Sequence, residues 1–254
     1  MMKMSFNKLS LLLATALVVS TPVAMADDSP HEFSANVAIQ TDYRFRGISQ
    51  TSEDPAISGG FDYSYTPYGF YAGVWASNLD FGVPDPDQAT LETDFYGGFS
   101  GEFASVPGLG WDIGGLYYAY PGSDTGPGVA DYDYFEAYGS LSYDFGSFNV
   151  DGGVNYSPDY FFESGSATYL YGDVGIPLSL YGLTLAGHLG HQSISDNTQF
   201  GTPDYWDWKV GLSKDIGAFT FDVSYVDTDL SKGECFGGTS NCDATGIFTI
   251  SSSF

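Results

Sequence analysis

The 254-residue sequence predicts an all-β chain closed into a transmembrane antiparallel up-and-down β-barrel of about twelve strands. Three observations predict it. Apolar and polar residues alternate with a period of two in segment after segment, the periodicity of a strand with one apolar and one polar face. The connections between these segments are long and short in turn, as in a barrel whose tight turns gather at one end and whose loops gather at the other. The composition, with 20 Tyr, 20 Phe and 33 Gly, favours strands over long helices.

The first strand is read from "FSANVAIQTDYRFRG". Phe33, Ala35, Val37, Ile39, Thr41, Tyr43 and Phe45 share one face, and Ser34, Asn36, Ala38, Gln40, Asp42, Arg44 and Arg46 share the other. On this reading the strand continues through residue 46. Tyr43 and Phe45 then extend the lipid-facing stripe, and Arg44 and Arg46 face the lumen. Further apolar faces follow in order: Ile57/Phe61/Tyr63/Tyr65, Leu91/Thr93/Phe95/Phe99/Phe103 and Phe148/Val150/Val154/Tyr156. At 167–176, Leu170, Val174 and Ile176 oppose Tyr169, Tyr171 and Asp173. The series closes with Leu183/Leu185/Leu189, Trp206/Trp208/Val210/Leu212, Phe219/Phe221/Val223/Tyr225 and Phe248/Ile250/Phe254. Segments near 69–80, 109–120 and 132–145 are more mixed in pattern; in the last of them Glu136 is read on the polar face. Long connections such as "GISQTSEDP" and "SISDNTQFGTPD" alternate with short ones such as "TPYG", "FGS" and "DIGA".

Residues 1–26 have the layout of a secretory signal. Lys3 and Lys8 precede an apolar run from Leu9 to Val19, and Ala24-Met25-Ala26 supplies small residues at a cleavage site. The run is too short to cross a bilayer as a helix. The barrel is therefore expected over 27–254, in a protein exported to the outer membrane. Residues 27–254 keep five basic side chains, Arg44, Arg46, Lys209, Lys214 and Lys232, against 32 acidic ones. That balance excludes nucleic acid as a partner. Cys235 and Cys242, close together in an exported chain and without further metal ligands nearby, are read as a disulfide pinning a loop.

Charged residues on the polar faces give the candidate site. Strand one rises toward the loop end, which places Arg44 and Arg46 in its outer half. Glu92, Asp94, Glu136 and Asp207 stand near the starts of strands that descend from that end. With Asp42 and Lys209 they form a candidate pore-lining constriction, because opposed charges at one level tune selectivity in barrel pores. The same charges would also serve simple pairing inside the wall.

The sharpest enzyme motif is "GHQSISDN", where His191 and Ser193 share a face near the rim with Asn197 close by. A two-residue pattern is weak support for a nucleophile and base, so no catalytic residue is assigned. His188 and His31 receive no role. Acidic stretches such as "PDPD" and "SDTGPGVADYD" read as solvated turns rather than as calcium loops, and no metal site or cofactor is assigned.

The blocks "TDYRFRGISQT", "GGFDYSY", "GFYAGVWASN", "ETDFYGGF", "YFEAYGSLSY", "DYWDWKVGLSKD" and "SYVDTD" occur in an order that resembles the TorF family of proteobacterial outer-membrane porin-like proteins. The resemblance covers essentially all of 27–254. It implies a barrel with a channel function and supplies no substrate. The C-terminal Phe254, in parity with Ile250 and Phe248, fits the signal read by the barrel-assembly machinery. The functional expectation is a narrow, cation-preferring porin-like channel for small solutes, embedded in outer-membrane lipid. The alternatives are a lipid-hydrolysing barrel using His191 and Ser193, and a structural or adhesive barrel.

Overall fold

The computed structural model describes residues 29–82, 89–123 and 130–254. The expected leader at 1–26, the "PDPD" tract and the centre of the "SDTGPGVADYD" loop lie outside the described residues.

Alternation in the sequence becomes a wall with two chemically distinct sides. It begins with β1 (His31–Gln40). A separate two-stranded hairpin, β2 (Arg44–Phe45) and β3 (Ile48–Ser49), then leaves the wall. The wall resumes with β4 (Ala56–Tyr65), β5 (Phe70–Asn78), β6 (Leu91–Glu102), β7 (Leu109–Ala119) and β8 (Tyr134–Asp144). It continues through β9 (Asn149–Ser157), β10 (Ala167–Leu178), β11 (Leu183–Ile194), β12 (Tyr205–Ile216), β13 (Phe219–Thr228) and β14 (Thr245–Ser253). Each wall strand pairs antiparallel with the next, and β1 closes on β14 with Ile39 opposite Ile250. Closure leaves no unpaired sheet edge, which a wall in hydrocarbon requires.

Turns at 66–69, 103–108, 145–148, 179–182 and 217–218 close one end, and the long connections collect at the other. Phe61, Phe95, Leu170, Leu189, Val210 and Val223 stand outside and exposed. Their strand neighbours Tyr96, Tyr169, Gln192 and Ser224 face inward and are buried. An apolar band of this extent around a closed barrel is a surface suited to lipid rather than water. The three mixed segments become β5, β7 and β8. Ile113, Tyr117, Phe135 and Leu141 are turned outward, and Tyr71, Tyr118 and Glu136 inward.

The first strand is shorter than its alternation implied. Pairing with β4 ends at Gln40 opposite Ala56, and the last wall contacts are those of Thr41 with Phe248. From Asp42 onward the chain turns into the lumen. Tyr43 is 1% exposed and Phe45 half-buried, so neither faces lipid. Arg44 and Arg46 are inside the barrel as expected, but on an inner hairpin rather than on the wall. The pleat determines side-chain direction only while a strand stays in the ladder.

Candidate functional site: a hairpin folded into an acidic lumen

The inner hairpin turns on two residues, Arg46 and Gly47, both with positive φ (48° and 80°). This is the mirror-image turn that matches the twist of a two-residue hairpin. Gly47 suits it for a second reason, since a Cβ there would meet the side chains of Thr228 and Asp207. Arg46 lacks glycine's freedom, and left-handed backbone costs such a residue about 1–3 kcal/mol. Its side chain is held firmly in return. Nη2 lies 2.7 Å from Glu136 Oε2, and Nη1 donates to Gln192 Oε1 at 2.8 Å. The guanidinium is also layered between rings, 4.6 Å from the centroid of Phe45 and 4.3 Å from that of Tyr169.

Arg44 clasps a different partner. Its Nε donates to Asp42 Oδ2 at 2.5 Å. Nη1 donates to the carbonyls of Gly47 (3.0 Å), Asn241 (2.6 Å) and Asp243 (3.1 Å). The other Asp42 oxygen accepts from Ser49 Oγ at 2.6 Å, and the Ser49 N–H donates to Asn241 O at 2.8 Å. Asn241 and Asp243 flank Cys242, which forms a disulfide with Cys235, both cysteines being buried. The bridge therefore does more than tether an outer loop, because the loop it closes is seated on the hairpin.

Around the hairpin the loop-side ends of the strands supply a layer of carboxylates and tyrosines. Tyr43 Oη donates to Glu92 Oε1 at 2.7 Å, and Tyr169 Oη donates to Asp207 Oδ2 at 2.9 Å. Tyr118 and Tyr134 stack with centroids 4.3 Å apart, and Phe45 packs edge-on against Tyr118 at 5.6 Å. Asp94 is buried on the same level, and its Oδ1 has no hydrogen-bond partner among the described residues. Asp42, Arg44, Arg46, Glu92, Asp94, Glu136 and Asp207 thus all lie in the loop half of the lumen. Lys209 lies nearer the turn end, 4.0 Å from Asp222 Oδ1.

His188, to which no role was assigned, lies at the centre of a further cluster. Its Nδ1 is 2.8 Å from Asp173 Oδ1, and its Nε2 is 2.8 Å from Tyr169 Oη and 3.2 Å from Asp207 Oδ1. Alternation correctly puts all four on inward faces. What it lacks is register, since Asp173 meets His188 only because β10 and β11 pair them directly.

His191 and Ser193 are each engaged with other neighbours. Ser193 Oγ donates to Asp204 Oδ2 at 2.9 Å, and the His191 ring packs on Trp206 at 4.6 Å. No group of three or more His, Cys, Asp or Glu side chains among the described residues is spaced to hold a metal ion.

Wall, lumen and inner hairpin together define a closed twelve-stranded barrel with an apolar exterior and an acidic, hairpin-filled interior. The chain belongs to the Gcw_chp family, described as a bacterial protein of unknown function, whose sequence model matches residues 24–254. Among solved structures it is similar to the KdgM porin, at 10% identity over 87% of this chain and 98% of that one, with a TM-score of 0.54. It is also similar to the NanC porin, at 13% identity over 88% and 99% of the two chains, with a TM-score of 0.53. At these identities the likeness is one of fold. No curated protein sequence matches the chain.

Proposed function

We propose that this protein is a porin-type channel of the outer membrane, narrow and cation-preferring, through which small solutes diffuse. The observation that carries the reading is the two-sidedness of the closed wall, apolar outward and rich in carboxylates inward. The leader-like residues 1–26, the C-terminal Phe254 and the resemblance to TorF porin-like proteins support the same destination, with the long loops outside. Cation preference follows from charge. The few lumen cations are spent locally, Arg44 on Asp42, Arg46 on Glu136 and Lys209 near Asp222. Asp62 and Asp112 have tyrosine hydroxyls as partners instead, from Tyr96 and Tyr71. A lumen with excess carboxylate raises the local concentration of cations.

In planar bilayers the purified barrel is expected to give stepwise currents, and a KCl gradient should move the reversal potential toward that of K⁺. Absence of currents at every voltage, or an anion-side reversal potential, would refute the proposal. The same preparation is expected to hydrolyse no lipid, and His191→Ala with Ser193→Ala should change neither assembly nor conductance. Phospholipase activity lost in Ser193→Ala would establish the enzyme reading instead.

A further inference from the structure

We infer that the inner hairpin, residues 42–55, is a gate that swings out of the lumen and is latched in place by the disulfide-closed loop. The inference rests on the channel reading above. Four observations carry it.

The hairpin is a sheet of its own, outside the ladder of the wall, so it can move without breaking barrel pairing. It fills the lumen in the loop half. Tyr43, Arg44, Arg46 and Ile48 are buried in the loop half, whereas Asp62, Asp112, Asp173 and Lys209 toward the turn end keep partial exposure. It also carries local strain, since Arg46, Ser52 and Glu53 hold positive φ values of 48°, 52° and 67° without being glycine. Such conformations persist only while surrounding contacts enforce them.

Finally, its polar attachments to the rest of the chain are few and of a kind that water can replace, beside the ring contacts of Tyr43 with Trp75 and of Phe45 with Tyr118. The polar attachments are the Tyr43–Glu92 bond, the Arg46 bonds to Glu136 and Gln192, the Arg44 bonds to Asn241 and Asp243, the Ser52 hydroxyl bond to the Asp80 carbonyl, and the backbone bonds Ser49 to Asn241 and Asp80 to Gln50. Three of these bonds end on the segment next to Cys242. The disulfide keeps that segment's carbonyls convergent on Arg44, and the latch follows from this. In the latched position the hairpin fills the loop half of the lumen. Once it is released, its arginines and their carboxylate partners rehydrate in a wider passage.

The test locks the hairpin to a neighbouring segment. Gln50 O accepts from the Asp80 N–H at 2.9 Å, so the two backbones run side by side there. Gln50→Cys and Asp80→Cys are introduced into a Cys235→Ser, Cys242→Ser background, and single-channel currents are recorded in planar bilayers before and after reduction. Oxidation is expected to lower the open probability about tenfold or more relative to the reduced state of the same protein, the size of a modest population shift. The unlocked background is expected to open more often than the parent, because its latch is gone. Arg44→Gln, which retains the native disulfide, should do the same. Equal opening in the oxidised and reduced lock would overturn the gate while leaving the channel standing. Equal opening in parent, background and Arg44→Gln would overturn the latch. Absence of current in every state, reduced included, would overturn the channel reading and the gate with it.

Discussion

Arg46→Gln is expected to destabilise the barrel by about 3–5 kcal/mol, the usual cost of removing one partner from a buried ion pair. Glu136 is 1% exposed, and the guanidinium is the only cation at ion-pair distance from it among the described residues. The shorter Gln side chain also forfeits the ring contacts with Phe45 and Tyr169. The measurement is the temperature at which the compact gel band of the refolded barrel shifts. Arg46→Gln with Glu136→Gln should recover most of the loss, because Glu136 is then no longer left as a buried charge without its cation. If the double variant were no more stable than the single one, the pair would not be the source of the effect. The surviving Arg46→Gln barrel should also prefer cations more strongly, since it keeps the carboxylates and loses one of the few opposing charges. A reversal potential identical to the parent's would place Arg46 away from the permeation path.

The second large effect is expected on the outer wall. Val210 sits mid-strand in β12 and is exposed. If its surroundings are hydrocarbon, Val210→Arg should cost ~2–4 kcal/mol, the cost of a basic side chain at the bilayer midplane. Phe219, also exposed, begins β13 at the turn end, and a cation there sits beside the interface. Phe219→Arg should therefore lose only about 0–1 kcal/mol to charge burial. Equilibrium unfolding in lipid vesicles, compared variant by variant, reads the difference. Equal costs at the two depths would mean that the apolar band does not lie in a bilayer.

Much of this architecture was legible in the sequence, because a strand's side chains must alternate and an amphipathic wall must therefore write a period of two into its residues. Strand number and the outward stripes from Ile57 to Phe254 follow from that rule, and the sided rhythm of loops and turns from the lengths of the connections between strands. So does the inward placement of Glu92, Asp94, Glu136, Asp207 and Lys209. Only the tertiary structure decided where the first strand stops. "DYRFR" alternates as well as any wall segment, yet it leaves the ladder after Thr41. The local signal is the pair Arg46-Gly47, and it does not identify an inward turn, because the hairpin is stable only against Glu136, Gln192 and Asn241, up to 197 residues away in sequence. Register was equally hidden, and with it the cluster of His188, Asp173 and Asp207. Periodicity determines which side of a wall a residue faces. Which residue stands opposite, and what fills the space enclosed, depends on contacts made only once the barrel has closed.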